Sequence, residues 1–172
     1  MKKFNSEIQV WVGDLAEYNN GRLVGEWFTL PMEIEEILEQ VLVAGNEEYY
    51  IGDIDSNLYS IVKDYGLNQM NILAEKLESL EEYEQMALVG LMEHYGDLDE
   101  SLQILENGDY MVYHDCKNMS DVAYQWYEET GQLKELEKHI NTFYIDWELL
   151  GRDMDIEGTF IQLEDDTIIQ VF

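Results

Sequence analysis

Two acidic stretches have the residue types, and part of the spacing, of a calcium-binding loop. In "DIDSNLYSIVKD" the oxygen-bearing side chains of Asp53, Asp55 and Asn57 alternate, and Asp64 ends the stretch. Such a loop also needs a glycine at its sixth position for a sharp turn and a bidentate Glu at its twelfth. Leu58 and Asp64 occupy those positions, and "DLDESLQILENG" lacks the same two residues. We therefore predict no metal site. A calcium-dependent binding module remains the weakest of the three functional hypotheses that the sequence leaves open.

Other candidates for catalysis lack partners. His114, Asp115 and Cys116 are adjacent, but alternate residues of a strand point to opposite faces, and no second cluster completes a zinc site. The glycines of "GRLVG" and "GNEEYYIG" do not have the spacing of a phosphate-binding loop. Acidic pairs are too numerous to nominate one as a catalytic dyad. The sequence therefore predicts no enzyme, no catalytic residue and no cofactor.

The first segment, predicted to span 1–61, has the pattern of a small sheet with one helix. "EIQVWVGDL" alternates like a strand, "YNNGRLVG" contains an Asn-Gly turn signal, and "EWFTL" and "EEYYIGDI" follow as strands. Pro31 is predicted to open a helix that stops near Gly45. The apolar stripe of this helix comprises Ile34, Ile37, Leu38, Val41 and Leu42.

The remaining chain is predicted to form two further domains, 62–106 and 107–172. The second is wholly helical: Ser79 with Glu82, and Asp97 with Glu100, have the form of helix caps, and Tyr83 is predicted to line the helix between them. The third begins with a strand around "DYMVYHD", continues with helices near 119–130 and 133–148, and ends in two strands around an Asp-Asp turn. This order predicts an α+β protein, an elongated chain of three small domains.

The charge is strongly one-sided. Against 38 Asp and Glu stand 9 Lys and Arg, a formal net charge of −29 over 172 residues. Nine acids and no base lie between Arg22 and Lys63, and eleven acids and no base lie between Lys76 and Lys117. Repulsion among so many like charges destabilises any compact state. However, 46% of the residues are hydrophobic, as a folded core requires. The expected partner is basic, and direct contact with nucleic acid or an anionic membrane is not expected.

Acids also occupy positions that do not favour stability. Asp and Glu in a first helical turn interact well with the helix dipole, but Glu93, Glu106, Glu128 and Glu129 precede predicted helix ends. Each such placement costs about 0.3–1 kcal/mol at low salt. The charge therefore has a purpose other than stability. A charge of 29 equals that on about 50 Å of duplex DNA, and one continuous helix over 77–100 would carry a charge per about 4.5 Å.

The single cysteine, Cys116, excludes an intramolecular disulfide and favours a reducing compartment. The start, "MKKFNSEIQV", lacks an apolar segment of signal-peptide length, and no apolar run approaches the roughly 18 residues of a membrane span. These features predict a cytoplasmic protein.

Three long stretches resemble the ArdA family of antirestriction proteins. They are "VWVGDLAEYNNGRLVGEWFTLP", "HDCKNMSDVAYQWYEETG" and "LLGRDMDIEGTF", in that order along nearly the whole chain. The resemblance implies a DNA mimic that occupies the DNA cleft of type I restriction–modification enzymes, both the methyltransferase core and the full nuclease complex, and inhibits restriction and modification. It also implies three domains, an end-to-end homodimer formed through the C-terminal domain, and carriage on conjugative plasmids and transposons.

The resemblance places the antirestriction motif and the dimer region in one stretch of the C-terminal domain. These residues are Leu149, Leu150, Gly151, Arg152, Asp153, Gly158 and Phe160. Arg152 has two interpretations: an internal salt bridge that fixes a turn between Leu150 and Gly158, or an organising residue near the dimer contact. Phe143, Tyr144 and Trp147 supply apolar material for such a contact.

The acids predicted to take the place of phosphates come from the charge pattern, since the middle segment departs from the family. They are Glu35, Glu36, Glu39, Glu47, Glu48, Glu78, Glu81, Glu82, Glu84, Glu93, Asp97, Asp99, Glu100 and Glu106. An alternative from another class stays open: an acidic adaptor or chaperone for a basic protein, which would use charge without duplex geometry.

Overall fold

The computed structural model describes residues 4–163 and 166–172 and confirms a mixed α and β class. Within those ranges the chain forms nine α-helices and two three-stranded antiparallel sheets. It divides into two compact units, Met1–Val89 and Gly90–Phe172. The division into three domains stays a prediction.

The sheet of the first unit has β1 (Ile8–Asp14) at its centre. β2 (Gly25–Leu30) and β3 (Tyr49–Ser56) pair with it on either side, both antiparallel. Every second residue of "IQVWV" faces the core, as the alternation predicted: Ile8, Val10 and Val12 are fully buried. All three predicted strands are confirmed. A short helix, α1 (Leu15–Asn19), precedes the turn that joins β1 to β2.

The helix predicted after the second strand is present as α2 (Ile34–Val41), with its apolar stripe facing the core. Ile37 and Val41 are buried, whereas the glutamates off that stripe are exposed. Pro31 does not open this helix, contrary to the prediction. Met32 donates its backbone N–H to Asn71 Oδ1 (2.9 Å), and Glu33 keeps a non-helical ψ of 123°. Residues 31–33 therefore form a connection, and the helix begins at Ile34.

The middle of the chain is helical, as predicted. Its helices are α3 (Tyr59–Val62), α4 (Leu67–Ser79), α5 (Glu82–Tyr95) and α6 (Leu98–Asn107). The stretch 77–100 is not one helix: Leu80 is extended at φ −102° and ψ 150°, and Gly96 is left-handed at φ 74°. The estimate of one charge per about 4.5 Å along a single helix therefore does not hold.

One of the two predicted helix caps is confirmed. The Asp97 Oδ1 atom accepts the Glu100 backbone N–H at 2.8 Å and starts α6. The cap of Ser79 with Glu82 is wrong, because Ser79 is the last residue of α4 and its hydroxyl donates to the Lys76 carbonyl (2.7 Å). Tyr83, predicted to line α5, is 52% exposed.

The second unit contains a sheet of order β4-β6-β5, with β4 (Tyr110–Tyr113), β5 (Thr159–Gln162) and β6 (Ile168–Val171). Between its strands lie the helices α7 (Met119–Glu129), α8 (Gln132–Glu137) and α9 (Trp147–Glu157), and a 3₁₀ turn at Thr142–Tyr144. The Asp-Asp turn predicted before β6 falls partly on residue 165, outside the described residues.

The helix predicted at 133–148 is wrong in its second half. α8 ends at Glu137, and a new helix starts where the Asp146 carboxylate accepts the Leu149 N–H (2.9 Å). The segment predicted as a turn between Leu150 and Gly158 is therefore mostly α9. A local aspartate cap and close packing against α7 account for the difference.

No helix within residues 4–163 and 166–172 combines the length and the apolar character needed to cross a membrane.

A buried carboxylate ties the first unit together, and its role was missed from the sequence. The Asp14 side chain accepts hydrogen bonds from the N–H groups of Glu17 (3.0 Å) and Val43 (3.0 Å) and from Asn46 Nδ2 (2.8 Å). Burial acts to raise the pKa of Asp14, but the bonds from Asn46 and from backbone N–H groups outweigh it and leave the pKa lowered.

This hydrogen-bonding predicts how stability depends on pH. A carboxyl whose folded pKa lies below the ordinary 3.8 stabilises the fold above that value, and the stabilisation is lost as pH falls through the folded pKa. We expect Asp14→Asn to lower stability at neutral pH, because its amide places a donor opposite donors. The gap between variant and parent should narrow below about pH 4. Urea unfolding from pH 7 to pH 3 measures this, and a gap independent of pH would contradict it.

Candidate interaction surface

The structure places the fourteen nominated acids on the protein surface. Thirteen are exposed and Glu84 is half-buried. Nine belong to the first unit and five to the second. Those of the first unit lie on and after α2 and in or near α4 and α5. Those of the second lie on α5, on α6 and at the N-cap of α6. Helix α2 shows the cause, because its apolar stripe occupies the core side and leaves Glu35, Glu36 and Glu39 in water.

Three of these acids also have a structural role. The Glu82 carboxylate accepts the Phe4 N–H (2.9 Å), Glu84 accepts the Glu81 N–H (3.0 Å), and Asp97 caps α6. Neutralising one of these three would therefore change the fold locally as well as the charge. Most of the other nominated acids are better positions for testing charge alone.

Few bases counter this charge. Among residues 4–163 and 166–172 there are three ion pairs: Arg22 with Glu17, Lys138 with Glu135, and His139 with Glu135 when the histidine is protonated. None of the three includes a nominated acid. The surface therefore presents most of the charge that the composition implies.

The predicted motif region divides between core and solvent because most of it is helical. Gly151 is buried, Leu150 and Phe160 are half-buried, and Arg152 and Asp153 are exposed. Arg152 forms no ion pair with any residue that the structure describes.

Gly151 lies where the backbone of α9 closely approaches the start of α7. A Cβ atom at this position would overlap the Met119 carbonyl group and lie 2.8 Å from the Ser120 backbone nitrogen. Glycine inside a helix costs about 1 kcal/mol relative to alanine, and here the close packing of two helices explains its presence. The motif glycine thus holds the second unit together and leaves its charged neighbours exposed.

Replacing this glycine should destabilise the second unit. We expect Gly151→Ala to lower the free energy of unfolding by about 1–3 kcal/mol, despite the better helix propensity of alanine, because backbone atoms of α7 must move. Asp155→Ala, at an exposed site of α9, is the control and should change stability by less than about 0.5 kcal/mol. Denaturation followed by tryptophan fluorescence compares them, and equal stabilities would refute the close-packing argument.

Of the adjacent His114, Asp115 and Cys116, only the cysteine is part of the core. Cys116 is buried, and its thiol donates to Gln125 Oε1 at 3.0 Å. Burial raises the pKa of Cys116 to about 11, and the charges of Asp121, Asp115 and Glu129 add to the effect. The thiol is thus neutral at physiological pH, which suits a packing role rather than nucleophilic chemistry.

The calcium-like stretch folds as regular structure. Asp53 and Asp55 lie on β3, and Asp53 Oδ1 accepts the adjacent Ile54 N–H (2.9 Å). Across residues 4–163 and 166–172, no group of three or more His, Cys, Asp or Glu side chains is placed to hold a metal ion.

Comparison with known proteins identifies the family. The family model described as antirestriction protein (ArdA) matches residues 10–168, which cover most of both units and the whole motif region. A search of curated proteins gives no match. A family match over nearly all of 172 residues joins the sequence resemblance to the acidic surface. This chain belongs to the ArdA family of antirestriction proteins.

Proposed function

We propose that this protein imitates duplex DNA and occupies the DNA-binding cleft of type I restriction–modification enzymes. The single observation that carries the proposal is the exposure of thirteen nominated carboxylates on a chain of net charge −29. Lys and Arg side chains that contact phosphates in a DNA cleft would contact these carboxylates instead.

The amount of charge suits this role. Duplex DNA carries one charge per about 1.7 Å of axis, so 29 charges match about 50 Å, or roughly 15 base pairs. Both units contribute, with 18 acids and 5 bases in residues 1–89 and 20 acids and 4 bases in residues 90–172. A basic cleft would therefore be attracted to either unit.

We further propose that the protein acts as a homodimer through its C-terminal part. The second unit exposes large apolar side chains: Phe143 is 86% exposed, Tyr144 82% and Ile156 74%. Leu149, Arg152 and Ile156 have the spacing of one face of α9. A contact between two copies of −29 each needs a local surface where apolar groups and a base outweigh repulsion.

The dimer contact predicts a specific role for Arg152. Arg152→Ala should weaken dimerisation about tenfold while changing protomer stability little, because its exposed side chain makes no ion pair with described residues. Lys134→Ala removes another exposed base of the same unit and serves as the control. Sedimentation velocity over a concentration series gives the dissociation constant of the dimer for both variants. A variant that stays dimeric yet loses inhibition would assign Arg152 to the enzyme contact instead.

The runner-up is an acidic adaptor or chaperone for a basic protein. It would use net charge alone and would not compete with DNA at one site. The family places the chain among antirestriction proteins, so we rank DNA mimicry first.

A cleavage assay tests the proposed function directly. A purified type I nuclease acts on DNA carrying its recognition site, with the protein added before or after the DNA. A mimic should inhibit strongly when added first and weakly when the enzyme is already bound to DNA. Inhibition of an unrelated nuclease at the same concentration, or none of the type I enzyme, would count against the proposal.

A further inference from the structure

An aromatic pocket with acidic residues lies in the second unit. Its cavity volume is about 540 Å³, and its lining includes Trp126, Tyr127, Phe160, Asp153, Glu157 and Gln170. These residues come from α7, α9, β5 and β6. This volume lies within the range of about 300–1,000 Å³ that is usual for ligand pockets, so one long side chain can enter with space to spare.

The aromatic lining is held in place by the core. Trp126 and Phe160 pack against the buried cluster that contains Tyr113 and Cys116. The Tyr113 hydroxyl donates to Gln170 Oε1 (2.9 Å), which fixes that side chain. The rings of Trp126 and Tyr127 meet edge to face, with centroids 5.1 Å apart. The pocket therefore exists before any ligand enters, which reduces the entropy cost of binding.

A glycine keeps one wall of the pocket closed. A Cβ atom at Gly158 would lie 2.9 Å from Phe160 Cε2 and 3.4 Å from the Met154 carbonyl oxygen. Without a side chain at position 158, the Phe160 ring can rest against the end of α9. Gly158 and Phe160 of the motif therefore form this wall of the pocket together.

Two carboxylates of the pocket come from neighbouring turns of one helix. Asp153 and Glu157 are four residues apart on α9, so they share a face and repel each other. Glu157 is also the last residue of the helix, where the dipole disfavours an acid. Neither forms an ion pair with a described residue. A cation entering the pocket would relieve both effects.

We propose that this pocket receives an arginine side chain of the enzyme that the protein inhibits, so the inference rests on the proposed function. A guanidinium is planar, stacks on aromatic rings and pairs bidentately with carboxylates, and the pocket offers both kinds of partner. A DNA-binding cleft supplies such arginines as phosphate contacts. The pocket thus adds a shape-selective contact to a surface that otherwise acts through distributed charge.

A model compound tests the pocket by itself. N-acetylarginine amide is titrated into the intact protein while the Trp126 indole signal is followed by NMR. We expect a saturable shift, with affinity lowered at least threefold by Asp153→Asn or Glu157→Gln and unchanged by Asp155→Asn. N-acetyllysine amide should bind less tightly. Equal loss in the Asp155→Asn control would show general attraction to an acidic surface and overturn the proposal.

Binding to a purified methyltransferase core then tests the partner. The double variant Asp153→Asn/Glu157→Gln should bind about tenfold more weakly than the charge-matched double variant Glu148→Gln/Asp155→Asn, whose positions on α9 are exposed and outside the pocket. Thermal unfolding checks that both variants fold, and sedimentation velocity checks that both keep the oligomeric state of the parent protein, because Asp153 also belongs to the predicted dimer region. If the two bind equally while the parent protein still displaces duplex DNA, the pocket proposal fails and DNA mimicry stands. If the parent protein displaces no DNA, the proposed function fails, and the assignment of the arginine to the enzyme fails with it.

Discussion

Affinity for a type I methyltransferase core is expected to fall on the order of 100-fold when salt rises from 50 to 200 mM. Carboxylates that replace phosphates attract counterions, which are released when Lys and Arg of the enzyme bind, and added salt opposes that release. A DNA ligand making 6–10 phosphate contacts loses about 10³–10⁵ over this range. The expected loss is smaller for the protein, because exposed carboxylates on a folded protein each contribute only small, screened terms.

The measurement is a dissociation constant at four or more salt concentrations, with a duplex oligonucleotide as the reference ligand. Both plots of log affinity against log salt should slope downward, with the steeper slope for DNA. A change of less than twofold for the protein would indicate a mainly apolar interface and reject electrostatic mimicry.

Neutralising six nominated acids together is expected to weaken inhibition by about 30-fold, although each single change should cost less than about twofold. Exposed charges each contribute small terms that add when the sites are far apart. The six should be exposed acids whose carboxylates take no part in a cap or tertiary hydrogen bond. A suitable set is Glu39, Glu78, Glu81, Asp99, Glu100 and Glu106.

Folding stability should hold or rise in this variant, because self-repulsion falls. Urea unfolding distinguishes that outcome from loss of inhibition through misfolding. A single substitution that abolished inhibition in a folded protein would argue against distributed charge.

A second variant, in which six other acids are neutralised, distinguishes the effect of where the charges lie from the effect of the net charge. These six are exposed acids outside the nominated positions: Glu26, Glu33, Asp64, Glu128, Glu137 and Asp155. Mimicry predicts that this control weakens inhibition by no more than about a few-fold, since long-range attraction falls while the contact surface remains. Equal loss in both variants would favour an adaptor that responds to net charge alone.

The sheet of the first unit could be predicted because its signals are local. Alternation in "IQVWV" and the Asn-Gly turn both depend on residues close in sequence, and both features lie where the pattern indicated. The apolar stripe of α2 could also be predicted, from the helical spacing of Ile37 and Val41. The first residue of α2 could not be predicted, because the hydrogen bond between Met32 and Asn71 joins residues 39 positions apart.

Helix α9 could not be predicted from local preference. Gly151 lowers helix propensity at its centre, and the compensating contact is with α7, which a sequence does not display. The acidic surface was predictable from residue type, since carboxylates are rarely buried without partners. The exceptions needed tertiary information: Glu82 accepts a hydrogen bond from Phe4, 78 residues away, and Asp14 is buried among donors. The pocket of the second unit could not be predicted for the same reason, because its lining comes from four separate elements.

The proposed DNA mimicry requires that the protein take the place of DNA in a type I enzyme. The most direct measurement is equilibrium competition with a labelled duplex oligonucleotide carrying the recognition site for a purified methyltransferase core. We expect complete displacement of the duplex, with an apparent affinity for DNA that falls in proportion to protein concentration, as mutually exclusive binding requires. A ternary complex of enzyme, duplex and protein, with DNA affinity unchanged at saturating protein, would contradict it.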